Sequence, residues 1–409
     1  MTDALYSSPG STLTPAYMLK IESRDITGNI SDRLISLTMT DNRGFEADQL
    51  DLELNDTDGR VVLPVRGAVL SLWLGWKGSA LIEKGRFTVD EVEHRGAPDT
   101  VTIRARSADF RGSLNSRREQ SWHDKTLGMI VGAIAARNKL EAAVAPGLAR
   151  IAIPHIDQSQ ESDIKFLTRL ADRNGGEVSV KSGKLLFLQA GKALTASGKP
   201  IPQVTIARSD GDRHQFSIAD RGAYTGVTAQ WLHTKEPKPK KVKVKRKPKA
   251  QQAGTPKHPS AKKKEEKAPE ARQGEYMAGE ADNVFALTTV FSTKAQAMRA
   301  AQAKWDKLQR GVAEFSITLA LGRADLYPET PVAVSGFKSI IDDQAWIITK
   351  VTHALNSNGY TTSLELEVKL CFIALSASMQ HMHAQAATLV TLQKSAIISA
   401  LILTVVARL

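Results

Sequence analysis

The residues best suited to chemistry lie within nine positions: His155, Asp157, Glu161 and Asp163. One imidazole and three carboxylates form a nitrogen-and-oxygen donor set of the kind that holds a divalent cation. The same stretch, Asp157-Gln158-Ser159-Gln160-Glu161-Ser162-Asp163, also reads as the entry to a helix. Ser159 or Ser162 can cap that helix, and Glu161 and Asp163 in or near its first turn oppose the helix dipole favourably. Capping accounts for every acidic residue there, so no metal, cofactor or catalytic residue is assigned. His381 and His383 stand in an atypical tail and are read as incidental. Trp73, Trp76, Trp305 and Trp346 sit on apolar faces and are core candidates rather than a binding platform. Lys240, Lys241, Lys243, Lys245, Arg246 and Lys247 could contact nucleic acid or an acidic partner through charge.

The common catalytic signatures are missing. No G-x-x-x-x-G-K-[ST] cradles a phosphate, and no G-x-G-x-x-G follows a strand. There is no G-x-S-x-G elbow, no H-E-x-x-H and no paired-carboxylate signature of a lytic enzyme. A single cysteine, Cys371, excludes an intrachain disulfide and a thiolate zinc site, and points to folding in a reducing cytoplasm. The segment from Met1 to Tyr17 lacks the apolar core of a signal peptide. The net charge of +12 belongs almost wholly to one segment, because Lys235 to Arg272 holds 15 basic and 4 acidic residues. The rest is close to neutral, which argues against a nucleic-acid-binding body.

The elements that must position these residues follow from periodicity. Ile35, Leu37 and Met39 alternate with polar residues, as do Leu50, Leu52 and Leu54, then Leu70, Leu72, Leu74 and Trp76, and Val101, Ile103 and Ala105. These are strands with one buried face. From Asp124 to Leu140 the apolar residues Leu127, Ile130, Val131 and Ile134 mark one face of a helix. Ile164, Leu167, Leu170 and Ala171 mark a second helix, ended at Gly175-Gly176. Glu177 to Lys181 and Lys184 to Leu188 form a hairpin about Ser182-Gly183. Strand patterning resumes at Val204–Ala207, Gln215–Ala219 and Tyr224–Leu232, then at Val284–Phe291. Thr293 caps a helix carrying Met298, Ala301, Trp305 and Leu308, which Gly311 closes. Phe315 to Leu321, Val332 to Val334, Trp346 to Val351 and Leu364 to Leu370 are further strands. Two β-domains of similar size imply an internal structural duplication.

Three stretches resemble the phage late-control D family, the hub proteins of contractile phage tails, related to the hub portion of type VI secretion spike proteins. They are Ala108-Asp109-Phe110-Arg111 with Ser121-Trp122-His123-Asp124-Lys125-Thr126-Leu127-Gly128; His155 to Asp163 leading into Phe166-Leu167-Thr168-Arg169-Leu170-Ala171; and Trp346-Ile347-Ile348 with Val351, His353, Gly359-Tyr360-Thr361-Thr362 and Leu364 to Glu367. The resemblance marks Trp122, His123, Thr126, Leu127, His155, Asp157, Gln158, Glu161, Ser162, Asp163, Phe166, Leu167, Trp346, His353, Tyr360 and Thr361 as structural motif positions. It implies a mainly β fold with α/β insertions, in which two tail-tube-like antiparallel β-barrels are joined by a small α/β domain. The expected division is residues 1–110 for the first barrel, 111–200 for the α/β domain, and 201–232 with 283–370 for the second barrel. It further implies a non-enzymatic homotrimer that adapts a sixfold tail tube to a threefold spike. The expected partners are the spike, the tube, other baseplate proteins and DNA passing through a channel, with no cofactor and no membrane. Assembly in the host cytoplasm and a final place in the tail baseplate complete the expectation. The alternatives are a late-gene regulator using the basic segment and a hub of a type VI-like or bacteriocin-type device.

The chain departs from that pattern twice. Residues 233–282 are rich in Lys, Pro and Ala and are expected to be a disordered linker. Residues 371–409 end in an apolar run, Ser395 to Ala407, too short for the roughly 20 residues that span a bilayer. That tail reads as a partner-binding segment, a weak membrane anchor or a reading-frame change past the end of the second barrel.

Overall fold

The computed structural model describes residues 13–107, 113–218, 224, 226–233, 236–245 and 283–369. Alternating apolar residues give the first β-domain its strands: β1 (Pro15–Ile21), β2 (Arg24–Asp25), a short helix α1 (Thr27–Ile30), β3 (Leu34–Asn42), β4 (Gln49–Asn55), β5 (Val69–Trp76), β6 (Ile82–Arg95) and β7 (Thr100–Arg106). Leu37, Met39, Leu50, Leu52, Leu70, Leu72 and Phe87 are almost fully buried and form its core. Each such side chain contributes roughly 1.5–3 kcal/mol of burial free energy. Ile35, expected inside, is exposed because a bulge at Leu34/Ser36 turns it outward.

The α/β insert follows: β8 (Arg117–Thr126), α2 (Leu127–Arg137), β9 (Glu141–Val144), α3 (Pro146–Ala149), β10 (Ala152–Ser162), α4 (Asp163–Asn174), β11 (Gly176–Lys181) and β12 (Lys184–Gln189). Strands β8 and β10 form an antiparallel ribbon, and β12 lies between β11 and β9. The segment His155 to Ser162 is therefore strand and not the loop its sequence suggests. Its polar, half-exposed ribbon shows no apolar alternation to read. Gly175 ends α4 in the left-handed conformation that glycine tolerates best.

The second β-domain contains β13 (Val204–Ala207) and β14 (Gly211–Ile218). The strands β15 (Gly226–His233), β16 (Glu236–Lys245) and β17 (Val284–Phe291) come next, with helix α5 (Lys294–Arg310). The domain then resumes with β18 (Ala313–Leu319), β19 (Pro331–Ser335), α6 (Ser339–Asp342), β20 (Trp346–Asn356) and β21 (Gly359–Val368). Strands β15, β16 and β17 do not join the second domain's sheet, as their position in the sequence suggests. They form a sheet of their own, whose Val227 and Ala229 bury against Ala297, Ala301 and Trp305 of α5. Part of the expected linker is strand. Residues 236–245 pair with β15, since backbone hydrogen bonds to an existing strand need no apolar side chains. The remainder of that segment and residues 371–409 lie outside the described residues.

The two β-domains repeat one plan. The order β14-β18-β21-β20-β3-β4-β7-β6 runs through one continuous sheet, with β5 and β19 flanking β6 and β20. Chain order and pairing match: β3, β4, β5, β6 and β7 correspond to β14, β18, β19, β20 and β21. Irregularities match as well. Leu34 opposite Leu54 and Gly211 opposite Leu319 each precede a bulge. The shifts at Val89/Glu91 and Ile348/Lys350 are a second matched pair. Gly67 donates to Val89 and Val89 to Ala68, as Glu329 donates to Ile348 and Ile348 to Thr330. The outermost strand differs: β1 runs antiparallel to β5, and β13 parallel to β19.

Candidate functional site

The sequence motif around Asp163 forms a clamp inside the insert. Ser162 caps α4, its hydroxyl accepting from the Lys165 amide at 3.4 Å, so it and not Ser159 takes that role. Asp163, the first helical residue, is fully buried. Its carboxylate accepts from Arg137 Nε at 2.9 Å, Asn138 Nδ2 at 2.8 Å and Gln158 Nε2 at 2.8 Å, and from Arg137 Nη2. Arg118 Nε stands 3.6 Å away. A buried charge survives only when paired and hydrogen-bonded, and this one is saturated. Gln158 completes the clamp by accepting from Arg137 Nη2 and donating to the Glu161 carbonyl. Glu161 takes a two-pronged bond from Arg169, whose Nη2 also holds the Asp157 carbonyl.

The other motif residues pack or cap. Thr126 caps α2 by accepting from the Met129 amide, and Leu127 is buried beside it. Trp122 stacks over Phe166 at 6.4 Å, with Leu167 fully buried. His123 and His155 face each other across β8 and β10, ring centroids 4.7 Å and Nδ1 atoms 3.1 Å apart. In that contact one ring nitrogen donates and the other accepts. The Ser121 hydroxyl, with His155 and His123, holds Asp157 below the ordinary carboxylate range. Because Asp163 and Glu161 are taken up by arginines, the four candidate ligands do not converge. Among the described residues no group of three His, Cys, Asp or Glu side chains could hold a metal ion. A cleft of about 350 Å³ beside the pair is lined by His155, Asp157, Arg169, Arg173, Phe291 and Gln296.

The third motif lies at the seam between the β-domains. Trp346 is buried in the second core and donates to the Ile341 carbonyl. His353 on β20 pairs with Met39 on β3. It is fully buried, its Nδ1 3.0 Å from Thr362 Oγ1 and 3.1 Å from the Tyr360 hydroxyl. Burial, with Lys84 nearby, holds its pKa well below the ordinary value, so the imidazole is neutral at neutral pH. Tyr360 reaches into the first core and lies 5.4 Å from Trp76. Gly322 sits under the Tyr360 ring, where a Cβ would come within 2.4 Å of it. Thr361 is only half-buried, and it is the neighbouring Thr362 that bonds His353 and the Arg323 amide.

Sequence reasoning missed four groups that hold the units together. Trp76 Nε1 donates to the Gly322 carbonyl at 3.0 Å. Lys84 is buried, donates to the carbonyls of Ala324 and Leu326, and lies over the Tyr327 ring at 3.8 Å. Burial lowers its pKa to about 8. At the junction of both β-domains, the insert and α5, Arg43 bonds Glu329 and Glu367. Glu329 also accepts from the Gly191 amide, and Arg310 lies 3.0 Å from Glu367. Burial raises the Glu329 carboxyl, which Arg43 partly offsets. Lys181 bridges Asp41, Asp48 and the Asn42 carbonyl, tying the insert to the first domain. Burial raises Asp48 to about 6 against the opposing pull of Lys181.

Of the basic residues, Lys240, Lys241, Lys243 and Lys245 lie on β16, and Arg246 and Lys247 lie outside the described residues. Trp305 is buried, and Trp73 half-buried with Lys20 over its ring. No helix among the described residues is long and apolar enough to cross a membrane.

Comparison with known proteins places this architecture. The family model described as phage tail baseplate hub (GPD) matches residues 47–359. The chain is 77% identical over 383 residues to a probable baseplate hub protein of Escherichia phage P2, covering 90% of this chain and 97% of that one. It is 73% identical over 375 residues to the corresponding protein of Escherichia phage 186, covering 90% and 96%. Among solved structures, the 43 kDa tail protein of prophage MuSo2 from Shewanella oneidensis shares the fold. Its TM-score is 0.57 at 14% identity, covering 87% of this chain and 99% of that one.

Proposed function

The chain belongs to the phage tail baseplate hub family, and from that premise we propose that three copies close into a ring that adapts a sixfold tail tube to a threefold spike. The observation that carries this reading is the pair of free edges on the continuous sheet. At one end β14 pairs only with β18 among the described strands. At the other, β6 leaves β5 after Thr88 and from Asp90 onward pairs, among the described strands, only with β7. All seven steps between them are antiparallel, so β14 and β6 run in opposite directions. An edge of one copy can therefore meet the other edge of the next in the antiparallel sense that β20 and β3 already use. Exposed edges of this kind are templates for strand addition. Six β-domains of one plan would then face a sixfold tube, while the three inserts keep threefold symmetry.

The role is structural: the motif residues form clamps and seams, and Asp163 is taken up by Arg137, Asn138 and Gln158. The partners are the tail tube, the spike and other baseplate proteins, DNA passes through the channel without sequence reading, and the location is the virion tail. Native mass spectrometry of the full chain, alone and with its spike partner, tests the ring. A trimer is expected; a monomer or dimer under both conditions would overturn it.

A further inference from the structure

The duplication assigns a partner to the most exposed apolar segment among the described residues. In the second β-domain, the connection between β18 and β19 (residues 320–330) is pressed onto the first domain. Gly322 and Ala324 are buried, Ala324 within the first core, while Leu326 is buried in the second core. Trp76 at the end of β5 and Lys84 near the start of β6 hold its carbonyls. The matching connection in the first domain, between β4 and β5, is bounded by equivalent residues. Asn55 donates to Arg33 as Ala320 donates to Asp210, and Gly67 and Glu329 make the same bond to β6 and β20. That connection stands in solvent: Val62 is 90% and Val65 76% exposed, with Leu63 at 50%. It also lies beside the unpaired half of β6, the edge at which a neighbouring copy would sit.

We propose that residues Arg60–Arg66 dock on the second β-domain of a neighbouring copy, repeating between chains the contact that residues 320–330 make within one. The inference rests on the ring reading above. The acceptor is the part of the second domain that corresponds to Trp76 and Lys84: the end of β19, α6 and the start of β20. Ile340 of α6 is exposed there, and Phe337 is only partly covered. Asp343 stands three residues before Trp346, as Lys84 stands three before Phe87; Phe87 and Trp346 pair with Leu70 and Val332 in the two domains. A barrel-side lysine serves the contact inside the chain; a barrel-side carboxylate faces the arginine-flanked loop, Arg60 and Arg66, between chains. Opposite charges at matched positions fit one partner, a second copy of this chain. The duplication also fixes the joint's register. The pairing of His353 with Met39 and of Thr352 with Thr40 places His94 opposite Phe216, and Glu93 opposite Ser217, of the next copy.

Two cysteine pairs in a Cys371→Ser background test the loop separately from the ring. Glu93→Cys with Ser217→Cys reports the edge joint, and Val65→Cys with Ile340→Cys reports the loop. Oxidation of both is expected to give covalent dimers and trimers. Cross-linking of the first pair alone overturns the loop assignment and leaves the ring standing. Cross-linking of neither, with a trimeric mass, overturns the loop and the register; neither, with a monomeric mass, removes the ring reading as well. Val62→Asp with Val65→Asp is expected to raise the concentration at which the trimer dissociates by at least about tenfold. An unchanged trimer would overturn the proposal.

Discussion

The two β-domains share strand order, bulges and edge bonds, yet one of their matched connections packs on a neighbouring domain and the other does not. Residues 320–330 bury Gly322 and Ala324 against a neighbour supplied by the same chain. Residues 56–66 present valines to water. The difference does not arise from the strands that bound the two connections, whose bonds are the same. It arises from whether a second β-domain stands alongside. Where the chain supplies that neighbour, it has also placed costly buried polar groups: Lys84, His353, Arg43 and Glu329. Such groups are poor sources of stability but strict about geometry, so they fix the angle between the domains.

That contrast can be broken at the closed joint first. Glu329→Ala leaves Arg43 short of a carboxylate and the Gly191 amide without its acceptor. A loss of roughly 3–5 kcal/mol is expected from removing one partner of a buried ion pair. Chemical denaturation of the monomeric chain would measure it, and a loss under about 1 kcal/mol would show that the junction is not a determinant of stability.

The next effect is one of pH. Burial lowers the Lys84 pKa to about 8 from its ordinary value of 10.5. Between those values the unfolded chain binds a proton that the folded chain does not, so stability rises as pH increases from about 8 to 10.5. The gain approaches ~3 kcal/mol across the window. Lys84→Met is expected to flatten the profile there, and identical pH profiles for the two proteins would count against the assignment.

The smallest effect belongs to the open joint. Val62→Ser with Val65→Ser should change the unfolding free energy of the isolated chain by no more than about 0.5 kcal/mol, because neither side chain is buried in it. A larger loss by thermal or chemical unfolding would mean that the loop already has an intrachain role.

Much of the local structure was legible. Thr293 and Ser162 sit at caps, Leu127, Ile130, Val131 and Ile134 line one helix face, and Ser182-Gly183 turns a hairpin. Each of these signals acts over a few residues and requires no distant partner. The ribbon of β8 and β10 was not legible, since polar strands carry no alternation. The same holds for β16, whose lysines and prolines resemble a linker until β15 offers a backbone to pair with. The motif around Asp163 was visible as a pattern, but its partner Arg137 lies on another helix, and nothing in the spacing links them.

By itself the sequence determined the strands with one apolar face, the helix caps and turns, the absence of familiar catalytic motifs, and the confinement of the positive charge to one segment. These follow from periodicity, propensity and charge, which are properties of neighbours along the chain. The tertiary structure alone decided that β20 pairs with β3 and that two domains share one sheet. It also decided that Arg43 meets Glu329 across 286 residues and that one of two equivalent loops is covered. Those outcomes depend on which surfaces are excluded from water together, and that is set only when the whole chain has closed.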